Sequence, residues 1–172
     1  MDALQAMLTR KSIKKYKPDP LPQELIDQII QAGLNAPSGL NKQAPIIVAV
    51  TNKEVRDQLS KLNAGKDPFF RTDPFYGAPV VLVVLADKSV PTYVYDGSLV
   101  MENLQLAAHA LGLGACWIHR AKETFETEEG KAILKSLGIE GEYEGIGNCI
   151  LGYPDQDPDK KPRKENRVYY IK

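Results

Sequence analysis

Cysteine, histidine and tryptophan are scarce in this 172-residue chain, at two, two and one residues. Two cysteines cannot build a disulfide framework. Cys116 and Cys149 both lie in apolar stretches and read as buried, reduced thiols. His109 and His119 supply no zinc-type ligand spacing, so no metal site is expected. Net charge is also missing: 22 basic residues balance 22 acidic ones, which counts against a nucleic-acid partner. No apolar run approaches the roughly 20 residues that span a bilayer, so no membrane partner is expected. Asp2 and Gln5 interrupt any apolar opening, so no secretory leader is expected either. A cytoplasmic location is the expectation that follows.

What is present is an ordinary globular composition, with 43% hydrophobic and 26% charged residues, long enough for one core. Residues 1–172 are expected to form a single domain. Leu4, Met7 and Leu8 place one side of a short helix over 2–10. Pro18, Pro20 and Pro22 make an extended connector, and Pro22 suits the first turn of a helix carrying Leu25, Ile26, Ile29, Ile30 and Leu34. Ile46 to Val50 reads as a strand and Lys53 to Leu62 as a helix. Residues 63–77 read as a loop with a helical turn. Pro79 to Ala86 is apolar on both faces and reads as a central strand. Asp96 is a candidate cap for a helix running to about Leu111. Apolar residues cover most of that helix's circumference, so it should be buried on nearly every side, in part by a second subunit. Ala115 to Ile118 is a third strand. A surface helix over 124–137, opened by Thr124 or Thr127, precedes a fourth strand within 144–153. The segment 154–167 is proline-rich and charged, and Val168 to Ile171 has the composition of a final short strand.

Three segments carry candidate chemistry. Arg10-Lys11-Ser12-Ile13-Lys14 follows the first helix, and in an extended run Arg10, Ser12 and Lys14 share one face. A guanidinium can grip a phosphate through two parallel hydrogen bonds, and the Ser12 hydroxyl can add another. The same run also reads as a solvated basic turn at a helix end. Ala36-Pro37-Ser38-Gly39-Leu40-Asn41-Lys42-Gln43 is either a binding loop or a simple helix stop. Lys160-Lys161-Pro162-Arg163 is either a soluble tail or a lid that returns cations to the anion held by Arg10. Gly112-Leu113-Gly114 follows a helix, so it is not a dinucleotide fingerprint. Trp117 reads by default as core.

Taken in order, these segments resemble the nitroreductase family of flavin enzymes, above all its short members. The resemblance rests on Arg10 to Lys14, Ala36 to Gln43, Asn103-Leu104-Gln105-Leu106-Ala107-Ala108-His109-Ala110-Leu111-Gly112-Leu113-Gly114, Gly152-Tyr153-Pro154 and Lys161-Pro162-Arg163. It implies an α+β, three-layer fold in which helices flank a central, mainly antiparallel sheet. It implies a homodimer with flavin mononucleotide (FMN) at the interface. Arg10, Ser12, Lys161 and Arg163 would hold the phosphate, with Lys11 contributing, and Lys14 would lie near the pyrimidine edge of the flavin. Pro37, Ser38, Gly39 and Asn41 would come from the second subunit and line the ring. Backbone around Trp117, Ile118 and His119 would face the ring's reactive edge. Gln43-Ala44-Pro45-Ile46 departs from the Pro-Trp that many relatives carry there. Asn63 and Arg71 are conceivable further ligands.

The implied activity is ping-pong transfer of electrons from NADH or NADPH to nitroaromatic, quinone or similar acceptors. Lys14 would tune the flavin, and no side chain stands out as an acid or base. The alternatives are a flavin-binding storage or sensing module without efficient turnover, and a flavin-free interaction domain whose basic clusters are merely solvated.

Overall fold

The computed structural model describes residues 1–65 and 72–172, so Arg71 and part of the expected 63–77 loop lie outside the described residues. Helices α1 (Ala3–Thr9) and α2 (Gln23–Leu34) precede strand β1 (Pro45–Val50), helix α3 (Lys53–Ala64) and strand β2 (Val80–Asp87). Helix α4 (Tyr93–Ala110), strand β3 (Gly114–Ile118), helices α5 (Ala121–Glu126) and α6 (Glu128–Ser136) and strand β4 (Tyr143–Gly152) follow. The strands form one antiparallel sheet in the order β1-β2-β4-β3.

Side chains of β2 alternate between two cores, as the pleat requires. Val80, Leu82 and Val84 pack with Ile26 and Ile29 of α2 and Met101 and Leu104 of α4. Val81, Val83 and Leu85 pack on the other face with Leu59 of α3, Phe125 of α5 and Leu134 of α6. Helices therefore cover both faces, and β2 reads as an uninterrupted apolar run for that reason. Cys149 sits in the first core and Cys116 in the second, so the two thiols lie on opposite faces of the sheet and cannot pair. Among the described residues no helix is long and apolar enough to cross a membrane.

Several sequence expectations change. Pro22 is the N-cap of α2 and not part of its first turn. Helix α4 begins at Tyr93, and Asp96 is buried inside its first turn, where it accepts hydrogen bonds instead of capping. Within the single chain α4 leaves Tyr95 and Leu99 exposed, and their cover by a second subunit stays a proposal. The single helix over 124–137 is two, divided at Thr127, whose hydroxyl accepts from the Gly130 N–H and caps α6. Residues 168–171 form no strand within this chain and are exposed.

Candidate flavin-binding site

Asp2 caps α1 by accepting from the Gln5 N–H, and the helix ends at Arg10, whose own N–H reaches the Ala6 carbonyl. From there the chain is extended. Ser12 bridges in parallel to Ala115, and the Ile13 N–H donates to the Ala115 carbonyl at 3.0 Å. Ile13 is buried, whereas Ser12 and Lys14 on either side of it are exposed, as an extended run demands. Glycine at position 114 makes this approach feasible: a Cβ there would stand 2.9 Å from the Ile13 Cβ.

Ser12 and Lys14 line a cleft of about 340 Å³ together with Pro74, Tyr76, Cys116, Trp117, Ile118 and His119. That is within the size range of small-molecule sites. The strand end is held in place by Asn63, whose side-chain amide donates to the His119 carbonyl at 2.8 Å. The Trp117 indole packs over β4, where a Cβ at Gly147 would lie 2.6 Å from its Nε1, so its backbone borders the cleft while its ring joins the core that includes Met101 of α4. Burial pushes the Cys116 thiol pKa up, although its hydrogen bond with Ser12 and the Lys14 charge oppose that, and the group stays a thiol at neutral pH.

Sequence reading missed the wall opposite Lys14. The Asp73 carboxylate accepts from the Arg56 guanidinium, the Ser60 hydroxyl and the backbone N–H groups of Phe75 and Gly77. Burial alone would raise its pKa, but these bonds outweigh that and hold it below the ordinary carboxylate value. The hub fixes Tyr76 at a left-handed φ of 52° with its ring centroid 5.6 Å from the Lys14 ammonium. A tyrosine seldom adopts that backbone without being held there. Only the residue types Asp73, Pro74 and Gly77 hinted at a turn.

The second basic cluster comes to the first. Tyr16 bridges Pro154, the Asp155 N–H donates to the Lys15 carbonyl, Lys11 pairs with Asp157, and the Lys160 ammonium donates to the Leu8 carbonyl. Residues 154–160 thus run antiparallel to residues 8–16, and exposed Lys161 and Arg163 follow directly. Arg10 itself lies 3.8 Å from Glu102 and donates to Gln105 at 3.4 Å.

The 36–43 loop is ordered but separate. The Gly39 N–H donates to Asp96 Oδ1 at 3.0 Å, the Gln43 N–H donates to Ser38 Oγ, and Leu40, Asn41 and Gln43 are left-handed. Pro37 and Ser38 line a different recess, with Leu34, Gln43 and Val100, so the loop does not join the cleft of its own protomer.

A dianionic phosphate matches Arg10, Lys11, Ser12 and Lys160, and a planar group matches the cleft between Lys14, Tyr76 and the β3 end, so the donor set fits FMN. The sequence profile of the Nitroreductase family matches residues 7–153. A Methanothermobacter thermautotrophicus protein named for NADH dehydrogenase and NAD(P)H nitroreductase is 31% identical, over 92% of this chain and 80% of its own. The NADPH-flavin oxidoreductase of Vibrio harveyi is 30% identical, over 94% and 70%. The crystal structure of a Bacteroides fragilis nitroreductase with bound FMN superposes with a TM-score of 0.89 at 25% identity, covering all of both chains. On the motifs, the fold and these matches, the chain belongs to the nitroreductase family.

Proposed function

We propose that residues 1–172 act as one FMN-binding domain of a homodimeric NAD(P)H oxidoreductase that reduces nitroaromatic, quinone or similar planar acceptors by ping-pong turnover. The observation that carries this reading is the convergence of two basic segments from opposite ends of the sequence beside a cleft walled by Lys14, Tyr76 and the β3 end. The flavin, when bound, supplies the hydride and electron chemistry that side chains lack.

This chain's residues supply position and charge. Arg10, Lys11 and Ser12 hold the phosphate, joined by Lys160, Lys161 and Arg163 of the tail. Lys14 offers a fixed ammonium where negative charge develops on reduction, and such a group acts strongly where water is scarce. The Asn63 bond to the His119 carbonyl and the Asp73 hub keep both walls from relaxing. Pro37, Ser38, Gly39 and Asn41 of a second copy complete the site. Exposed Tyr95 and Leu99 on α4 and exposed Val168 to Ile171 supply apolar surface for that copy to cover. A cytoplasmic location suits the reduced thiols.

The test is the absorbance spectrum of the purified protein, followed by identification of any chromophore released on heating. About one FMN per chain, bleached by NADH or NADPH and restored by a quinone, is the expected result. A colourless protein that takes up no added FMN overturns the reading. Lys14→Ala should lower the flavin's reduction potential and slow its reduction, and an unchanged potential would remove the role given to Lys14.

A further inference from the structure

His109 lies in the last turn of α4, half-buried against the end of α1. Its Nε2 is 2.8 Å from Thr9 Oγ1, and Thr9 Oγ1 is 2.6 Å from the Gln5 carbonyl oxygen. A carbonyl can only accept, so the single hydroxyl proton of Thr9 goes to Gln5. Thr9 must then accept from His109, which puts a hydrogen on Nε2. The nitrogen left to gain or lose a proton is therefore Nδ1.

Three cations act on this ring: Arg10 and Lys11 from the run after α1, and Lys160 from the tail. Two carboxylates act on the same cluster, Glu102 of α4 beside Arg10 and Asp157 of the tail beside Lys11. Burial, and then the repulsion of the three cations, lowers the imidazole pKa below its ordinary value. These are the cations assigned above to the phosphate.

We infer that His109 is a further residue of the anion site, and that it takes up one proton from solvent at Nδ1 when the FMN phosphate docks among Arg10, Lys11, Ser12 and Lys160. The inference rests on the phosphate position proposed above. A dianion cancels the repulsion that disfavours the imidazolium and adds an attraction in its place. Proton uptake on binding means that binding tightens as pH falls through the window between the free and bound midpoints of His109. No covalent bond forms or breaks.

The experiment uses the full chain, with and without flavin. It has only two histidines, so proton NMR shows two imidazole C2 signals, and His109→Gln assigns one of them. FMN should move the His109 midpoint upward by about one pH unit or more, while riboflavin, which lacks the phosphate, should leave it in place. The phosphate's own ionisation near pH 6 affects both proteins alike. The readout is therefore the ratio of FMN dissociation constants, His109→Gln over wild type. It should be close to one at about pH 8 and rise toward tenfold at about pH 6. A His109 midpoint unmoved by FMN, moved equally by riboflavin, or a ratio constant with pH overturns the inference while leaving FMN binding intact. If the wild type binds no FMN at all, the functional reading fails and this inference with it. Should His109→Gln not fold, His109→Asn and the wild-type titration decide the matter.

Discussion

The 10–17 run and the 36–43 loop are both firmly held, yet they face different company. The first is bonded to Ala115 and Tyr153, flanked by the tail, and delivers Ser12 and Lys14 to a cleft that its own chain walls. The second is pinned by Asp96 and by its own turn bonds, yet its groups stay out of that cleft and Leu40 is 93% exposed. Order without a target in the protomer indicates a segment shaped for something outside it. On the proposed function, one half of the site is built within one chain and the other is supplied by a second copy.

The largest expected effect breaks the first half. Arg163→Ala should weaken FMN binding by about 1.5–3 kcal/mol, the worth of a charged hydrogen bond, in a fluorescence titration. Unaltered affinity would place the tail elsewhere. Asp96→Ala attacks the second half by leaving the Gly39 N–H without its acceptor. Stability should fall by about 1–3 kcal/mol in urea unfolding, with weaker FMN retention although Arg10, Ser12 and Lys14 are untouched.

The Asp73 hub offers a pH test of the wall that only the first half possesses. Its carboxyl titrates below the ordinary value when folded, so its contribution is full above the unfolded pKa and is lost as pH falls through the folded one. Wild type should exceed Asp73→Asn in stability at neutral pH, and the two should converge in acid below the usual carboxylate value of about 3.9. Parallel curves would show that the hub is not charged in the way described. The smallest effect belongs to Asp157→Asn. Asp157 is exposed in its pair with Lys11, so stability should change by less than about 1 kcal/mol. FMN should bind slightly more tightly at low salt, because Lys11 is released to the phosphate.

Alternation and helical period made most elements of the fold legible in the sequence, and the run of motifs marked the two basic segments that the structure brings side by side. What escaped depends on contacts distant in sequence or on backbone that residue type does not announce. Nothing marks Tyr93 as a helix start, since Thr92 makes no side-chain cap bond, while Asp96 looks like a cap and is used for Gly39 instead. Helix α5 begins after Arg120, which is left-handed at φ 73°, an uncommon state for arginine. Thr124 and Thr127 carry the same capping chemistry, and only the fold shows which one caps. The Asp73 hub gathers Arg56 and Ser60 from α3, a meeting that no local pattern encodes. Val168 to Ile171 have the composition of a strand and pair with no strand among the described residues.

The antiparallel pairing of residues 8–16 with 154–160 also bears on how the protein folds. Lys11 and Asp157 are 146 residues apart in sequence, and Leu8 and Lys160 are 152 apart. Contacts of that span are the costliest in chain entropy and are rewarded only once the intervening sheet exists. The anion site should therefore be the last part of the molecule to assemble, so that retention of the flavin reports a chain that has finished folding, and a kinetically trapped or half-formed species emerges without its colour.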